Sequence, residues 1–372
     1  FVRLWISSLT DKAIREGLKH LEDGSRYDNL YHAAKARSEA DWLVGINGTQ
    51  ALSIAAGRGT YSVGRVQTPT LAMICERYWE NRRFTPEAFW QLHISAKGQD
   101  SDGVVKMPSV EKWKDKATAT ALYNNVKESN TATVVKVERK EKIEETPLLY
   151  DLTTLQKDAN TKYGFTAEQT LDITQKLYEK KLVTYPRTPP ASRYIPEDVF
   201  AEIPKLLAFI GRLSQWSGKV PQKPEPTRRS VDDSKVTDHH ALLVTGEKPL
   251  FLSEDESKVY HLIAGRMIEA FSEKCVKDVT AVTVECSGVV FSAKGHVVKQ
   301  AGWRAVCKEE QEETILPDWK EGELLHLSGC SMTEGKTKPK PLHTEATLLS
   351  AMETAGREIE DEELRQALKD CG

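Results

Sequence analysis

The stretch Leu177–Asp198 reads LYEKKLVTYPRTPPASRYIPED, and its centre is Tyr185, followed by Pro186 and Arg187. Pro186 fixes its own φ and pushes Tyr185 towards an extended conformation, which ends the preceding helix and can hold the phenol outward. In an extended segment Arg187 lies on the same side as Tyr185, and its planar guanidinium can grip a phosphate through two hydrogen bonds. A phenol beside a held phosphodiester is arranged for nucleophilic attack on phosphorus. Taken alone, so short a motif is more often a packed tyrosine beside a solvated arginine. Other segments of the chain are needed to distinguish this alternative from a nucleophilic tyrosine.

The stretch resembles the active-site region of type IA DNA topoisomerases of the topoisomerase III branch, whose pattern is approximately LYExxL[IV]TYPRTDSRY[IL]P. Four further segments resemble the same family and occur in the family's order. They are ARSEADWLVG from Ala36, SVGRVQTPT from Ser62, VTDHHAL from Val236 and TEATLL from Thr344. Together they span nearly the whole chain, so the resemblance covers more than the tyrosine motif.

Composition is that of an ordinary soluble globular protein, with 39% apolar and 29% charged residues. A length of 372 residues favours two or three domains. No stretch approaches the roughly 20 apolar residues of a membrane span, and the start FVRLWISSLT lacks the layout of a signal peptide. We therefore expect a cytoplasmic protein with no membrane partner. The six cysteines form no CxxC pair, which excludes zinc-ribbon and redox motifs.

Net charge is -3, which argues mildly against a chain that binds nucleic acid over its whole surface. A local basic groove can still bind a polyanion, because the field near the groove decides binding.

Hydrophobic periodicity changes along the chain and predicts an α+β multidomain fold. Helical patterns cover 9–19, 26–56 (with a bend or break near Lys35), 67–80, 117–127, 152–163 and 166–180. Strand patterns cover 89–94, 132–137, 281–286, 289–293 and 324–327. The resemblance implies a helical base domain at 1–83 and 341–372, a β-rich hinge domain at 84–145 and 277–340, and an inserted helical domain with the tyrosine at 146–276.

Two pairs of polar residues in the base domain are candidates for DNA binding. Arg37 and Asp41 are four residues apart on one helical face, where a surface ion pair is worth about 0–1 kcal/mol. The resemblance implies that Arg37 faces DNA phosphate and that Asp41 orients neighbouring groups. Arg65 and Gln67 lie at the mouth of a helix after a glycine-rich turn, a position that suits an anionic backbone and a base edge. The alternative for Arg65 is a solvated loop cation.

Two histidines and one helical pair are candidates near the tyrosine. The adjacent His239 and His240 point in different directions and lack a third ligand at metal-binding spacing. A buried, hydrogen-bonded histidine is the alternative. The resemblance assigns the first of the two to the active site, so we expect His239 to act at the phosphate and His240 to contact DNA more weakly. Gln175 and Glu179, four residues apart, either contact DNA or form a solvated helical face.

The chain departs from the family pattern in two ways. Pro189, Pro190, Ala191 and Ser192 stand between the TYPRT motif and Arg193, where the family has two residues that begin with Asp or Gly. The chain also begins where the resemblance places the end of an N-terminal TOPRIM domain, and it stops before the end of the base domain. In the family that missing domain binds magnesium, so we expect no metal site and no small-molecule cofactor in this chain.

For the intact bacterial enzyme, the resemblance implies an ATP-independent isomerase that acts as a monomer on single-stranded DNA at the nucleoid. Tyr185, assisted by Arg187 and His239, forms a 5′-phosphotyrosyl link, a second strand passes through the gap, and the break is rejoined. We expect this fragment alone to be inactive in cleavage. The alternative is a non-catalytic single-stranded DNA-binding module. A regulator that reads duplex DNA would need a basic recognition helix, and the sequence contains none.

Overall fold

The structure, a computed structural model, describes residues 1–6, 11–98, 103–186, 192–220, 228–236, 239–307 and 313–355, apart from the side chains of 11–13. The chain divides into two compact units. The sheet unit comprises Arg83–Thr146 and Ser272–Pro339. The helical unit comprises Phe1–Arg82, Pro147–Phe271 and the described residues from Lys340 onward. The segments predicted as base and as tyrosine-bearing domain therefore fall into one unit.

The strands of the described chain are β1 (Val2–Arg3), β2 (Glu22–Asp23), β3 (Ala88–Lys97), β4 (Val105–Pro108), β5 (Thr131–Glu144), β6 (Cys275–Cys286), β7 (Val289–Gln300) and β8 (Leu324–Lys336). The α-helices are α1 (Asp11–Lys19), α2 (Asp28–Ala56), α3 (Gln67–Arg82), α4 (Lys116–Glu128), α5 (Leu152–Tyr163), α6 (Ala167–Glu179), α7 (Glu197–Phe200), α8 (Ile203–Gly211), α9 (Glu254–Ala270) and α10 (Glu345–Glu353).

The sheet unit is built on six antiparallel strands in the order β4-β3-β8-β5-β6-β7. Strand β8, from after the helical insertion, lies between β3 and β5, which come before it. Neither half of the unit therefore forms the sheet alone. The chain leaves the sheet after Glu144 and returns at Cys275, and these two residues are direct partners in the β5–β6 ladder. A long helical segment is therefore inserted between two adjacent strand ends without disturbing their register.

The core of the sheet unit follows the two-residue period of its strands. Leu92, Ile94 and Ala96 of β3 are almost completely buried, as are Val282 and Val284 of β6. The sequence predicted only the apolar parts of the two longest strands, at 132–137 and 324–327. The remaining parts of β5 and β8 are mostly polar and largely exposed, so hydrogen-bonded pairing holds them rather than burial.

Helix α9 is the centre of the inserted helical segment, with eleven of its 17 residues buried. It packs against α5, α6 and α8. Helix α6 begins with a capping box, in which the Thr166 side chain accepts from the Gln169 N–H and the Gln169 side chain accepts from the Thr166 N–H. Local sequence therefore determines where α6 begins, and the apolar surface of α9 determines which helix α6 packs against.

Helix α2 runs without interruption over 29 residues, so the predicted break near Lys35 is wrong. The segment after α2 folds back along the helix. The Val63 N–H donates to Thr49 Oγ1 at 2.9 Å, and the Tyr61 N–H donates to Ser53 Oγ at 2.9 Å. At Gly48 an added Cβ would lie 3.0 Å from Val63 Cγ1. A small residue at this position lets the returning segment approach the helix.

We predict that Gly302→Ala destabilises the sheet unit more than Gly288→Ala does. Both glycines have positive φ, at 52° and 79°, so both substitutions carry a left-handed backbone cost of about 1–2 kcal/mol. Only at Gly302 would the new Cβ collide with backbone, at 2.3 Å from the Lys274 carbonyl oxygen. The free energy of unfolding in urea should fall clearly further for Gly302→Ala. Equal losses for the two variants would contradict the close packing described for Gly302.

Candidate active site

Tyr185 follows a short antiparallel ladder between two segments that are far apart in sequence. The Thr184 N–H donates to the Leu243 carbonyl at 2.9 Å, and the Leu243 N–H donates to Thr184 Oγ1 at 2.9 Å. One step earlier, the Thr245 N–H donates to the Leu182 carbonyl at 3.0 Å. We call residues 182–184 and 241–245 the tyrosine ladder. Because Pro186 follows Tyr185 and is buried, the ladder ends with the phenol at its edge.

The turn between α6 and the tyrosine ladder is fixed by a helix-ending motif. Lys181 has a φ of 61°, the left-handed conformation usually taken by glycine at this position. Its N–H donates to the Tyr178 carbonyl at 2.7 Å, and the Leu182 N–H donates to the Leu177 carbonyl at 2.9 Å. These two bonds satisfy the last carbonyls of the helix and turn the chain into the ladder.

An ion pair ties this turn to the start of α9. Lys180 Nζ lies 2.7 and 2.8 Å from the two carboxylate oxygens of Glu256. The Lys180 hydrogen bond, with a second from the Ser253 backbone, lowers the pKa of Glu256 despite its burial. The ion pair joins the helix before Tyr185 to the central helix of the segment.

The structure brings Tyr185 into contact with His239. Their ring centroids are 4.8 Å apart and their planes are inclined by 43°. Both side chains are half-buried, so solvent reaches the pair. A second aromatic ring, that of Tyr178, stands nearly perpendicular to Tyr185 at 5.4 Å. The pair and Tyr178 form an accessible aromatic group at the end of the tyrosine ladder.

His240 is directed differently from His239. Its Nδ1 lies 2.7 Å from the Ala241 carbonyl, which can only accept, so this nitrogen carries the proton. Burial lowers the pKa of His240, and the hydrogen bond to Ala241 opposes that change only in part. His240 is therefore a neutral imidazole held by backbone, which makes it a weaker candidate for phosphate contact than His239.

The candidate residues of the base segment form a separate group. Asp41 takes Arg65 as its ion-pair partner, with both guanidinium nitrogens Nε and Nη2 donating to the carboxylate. The surface ion pair with Arg37 that the helical spacing allows is replaced by the pair with Arg65, which the returning segment brings closer. The hydrogen bond from Arg65 lowers the pKa of Asp41 most, and the charges of Arg65 and Arg37 lower it further. Arg37 therefore still acts on Asp41 through its charge. The Gln67 side chain folds over Gly64, with Nε2 3.1 Å from the position of a Cβ there.

Gln175 and Glu179 bond to each other on α6, with Gln175 Nε2 donating to Glu179 Oε1 at 3.1 Å. Among the described residues, no hydrogen bond, ion pair or ring contact joins Arg37, Arg65 or Gln67 to the Tyr185–His239 pair. Arg187 and the departure at 189–191 lie outside the described residues.

Three residues that matter to the site were not singled out from sequence. Tyr178 lies within the quoted stretch, and its place just before the helix-ending turn could have suggested contact with Tyr185. Thr184 acts through a hydroxyl that bonds across the tyrosine ladder. Glu256 has no local signal for its partner, because Lys180 is far away in sequence.

No site for a metal ion is found in the described ranges, where no three His, Cys, Asp or Glu side chains are suitably grouped. No group of described residues would hold the magnesium ion that the family resemblance implies.

The sequence profile described as DNA topoisomerase matches residues 25–357. The chain belongs to the DNA topoisomerase family. DNA topoisomerase 3 of Shouchella clausii is 39% identical over 100% of this chain and 52% of its own length. DNA topoisomerase 3 of Bacillus subtilis is 38% identical over 97% of this chain and 51% of its own length. The expected resemblance to the topoisomerase III branch is confirmed, and these relatives are bacterial.

Full-length topoisomerase I from Thermotoga maritima has a similar fold, with a TM-score of 0.70 over 99% of this chain and 61% of that one. At 24% identity this likeness concerns the fold alone, and it confirms the expected α+β multidomain architecture of type IA topoisomerases. The chain spans about half the length of the curated relatives it matches. In the described part of the chain no helix is both long and apolar enough to cross a membrane.

We predict that Thr184→Val destabilises the protein by about 1–3 kcal/mol, the usual cost of leaving a partly buried N–H without an acceptor. The N–H concerned is that of Leu243. Thr184→Ser keeps the hydroxyl and is the matched control. Urea unfolding should separate the two variants by at least about 1 kcal/mol. If serine is as damaging as valine, the hydroxyl bond does not hold the tyrosine ladder.

Proposed function

We propose that Tyr185 is the nucleophile of a type IA DNA topoisomerase that cleaves and rejoins one DNA strand. The observation that carries this proposal is the contact between Tyr185 and His239, two motif residues joined by the tyrosine ladder within the region matched by the family profile. An accessible phenol with an imidazole beside it suits attack on a phosphodiester.

In the proposed reaction the Tyr185 oxygen attacks phosphorus in single-stranded DNA. The bond between phosphorus and the 3′ oxygen breaks as the phosphotyrosyl bond forms. The phenol loses its proton, and the leaving 3′ oxygen gains one. The products are a 5′-phosphotyrosyl ester and a free 3′-hydroxyl, and attack by that hydroxyl reverses both changes. The phosphoester bond is exchanged rather than hydrolysed, so the cycle needs no ATP.

His239 and Arg187 are the proposed catalytic partners of Tyr185. Phosphoryl transfer gathers negative charge on the phosphate oxygens, and preorganised donors stabilise it. His239 is proposed to donate to such an oxygen, and the contact of its ring with the Tyr185 ring supports this role. Arg187 is proposed on the sequence alone, as the bidentate cation two residues after the nucleophile.

The remaining candidates are proposed to hold the strand. Arg65 and Arg37 present two exposed cations around one carboxylate, so their group keeps a net positive charge for DNA phosphate. Asp41 is proposed to orient Arg65 through their two-point bond. Gln67 is proposed for a base edge, and the Gln175–Glu179 pair and His240 for weaker contacts.

Further properties belong to the whole protein and are proposed for it. They are strand passage and action as a monomer at the nucleoid in the cytoplasm. We also propose that carboxylates in the part of the relatives that this chain does not span hold magnesium. Magnesium bound there would neutralise charge on the DNA phosphates.

The test is covalent capture of labelled single-stranded DNA, in a version extended to the length of the relatives. Tyr185→Phe should abolish the adduct that survives denaturant, because phenylalanine has no oxygen to bond phosphorus. Tyr178→Phe is the matched control, since it removes a phenol 5.4 Å away, measured between ring centroids, and leaves Tyr185 intact.

An adduct that persists in Tyr185→Phe, or that disappears only in Tyr178→Phe, would overturn the proposal. If the unmodified protein binds the oligonucleotide but never forms an adduct, the alternative of a single-stranded DNA-binding module takes its place.

A further inference from the structure

A row of cations lies on one face of the sheet unit, and none of them is a candidate residue of the tyrosine site. In β5 the alternate residues Lys136, Lys140 and Lys142 share this face, since side chains of one strand face the same way at every second position. Register places Lys277 of β6 opposite Lys142. On β7, Lys294 and His296 pair with Ala281 and Val279 of the same β6 face. We call these six residues the basic strip.

Among the described residues, the carboxylates near the basic strip are fewer than its cations. Glu144 is bound by Arg304 at 2.5 Å and by Lys277 at 3.3 Å. Burial raises the pKa of Glu144, but these two hydrogen bonds outweigh it and the net direction is downward. Glu138 is bound by Lys136 at 2.6 Å. Glu138 also lies 3.9 Å from Lys140, and Glu144 lies 3.6 Å from Lys142. A third carboxylate, Glu321, accepts from the Val137 N–H and acts on the charge of Lys136. With Arg304, six Lys and Arg side chains therefore lie near three described carboxylates.

Other nearby acidic groups are engaged elsewhere. Glu141 and Asp278 lie on the opposite face of the sheet, where both pair with Lys299. Glu313, beside the edge of β7, accepts from the Val298 N–H at 3.0 Å. The positive charge of the basic strip is therefore local, in a chain whose net charge is -3.

One end of the basic strip borders a cavity of about 480 Å³. Lys142, Lys277, Lys294 and His296 line it, together with Glu144, Val279 and Gly295. Lys277 is only 5% exposed, so its ammonium is held at the base of the cavity by Glu144. Lys294 at the rim is exposed and has no carboxylate within 4 Å among the described residues. The cavity thus combines a buried lysine in an ion pair, an exposed lysine and an imidazole around an open space.

We propose that the basic strip binds the phosphate backbone of DNA, as a second contact outside the cleavage site. The identification of the ligand as DNA rests on the proposed function. The geometry favours a linear polyanion over a single small anion. Alternate residues of a strand are about 7 Å apart, and Lys136 to Lys142 extends over about 20 Å. Flexible lysines along such a line suit a chain of phosphates, which they bind without reading sequence.

The test is equilibrium binding of a fluorescent single-stranded oligonucleotide by this chain at several salt concentrations. The triple variant Lys142→Gln, Lys294→Gln, His296→Gln removes the groups that line the open part of the cavity. The control Lys114→Gln, Lys116→Gln, Lys205→Gln removes three exposed lysines that are not part of the basic strip. Lys294→Gln alone is a fourth protein, in case the triple variant does not fold.

Each lost phosphate contact should reduce the slope of log affinity against log salt by about 0.7 for a single strand. We expect the triple variant to lose about 2 from this slope if all three groups are charged and in contact, and roughly 1.4 if His296 is neutral. Affinity at the lowest salt should fall about tenfold or more. Lys294→Gln should lose about 0.7. The control triple variant should keep the original slope.

The proposal is overturned if the strip variants bind with the original affinity and slope, or if the control falls equally. The measurement does not depend on cleavage. If the strip variants bind as the original chain does while Tyr185 still forms its adduct, only the proposal for the basic strip fails. If the strip variants lose binding but Tyr185 forms no adduct, only the proposed cleavage function fails.

Discussion

The tyrosine ladder is the constraint on which the candidate site depends. Three hydrogen bonds between 182–184 and 243–245 connect two loops that are far apart in sequence. The same element reaches the core, because the Leu242 N–H donates to the Tyr150 carbonyl and the Val244 N–H lies 3.1 Å from the Met267 sulfur of α9. Tyr185 and His239 stand at the edge of this ladder. Their contact is therefore supported by the packed interior rather than by either loop alone.

What could be predicted from sequence was mostly local. The bounds of α5 and α6 depend on residues within four positions of one another, and both were predicted to within one residue. The motif TYPRT predicts Tyr185 as the nucleophile from local sequence, because proline and arginine constrain a tyrosine within three residues. The family resemblance then supplied what the residues alone could not, which is that His239 belongs beside Tyr185.

The long-range pairings could not be predicted, for physical reasons that differ between cases. Asp41 has Arg37 four residues away on its own helix, yet the segment after the helix brings Arg65 to it, and Arg65 donates two hydrogen bonds to its carboxylate. The exposed parts of β5 and β8 carry polar residues on both faces, so they lack the apolar alternation that marks a strand. The partner of Lys180 lies on α9, and no spacing rule links the two.

The central claim is that the tyrosine ladder holds Tyr185 against His239 in the free protein. Selective labelling of tyrosine and histidine rings, followed by nuclear Overhauser measurements on this chain, tests it most directly. With ring centroids 4.8 Å apart, cross-peaks between the Tyr185 and His239 ring protons should be present, assigned by their loss in Tyr185→Phe and His239→Gln. A spectrum in which both rings are assigned and no such cross-peak is found would contradict the account.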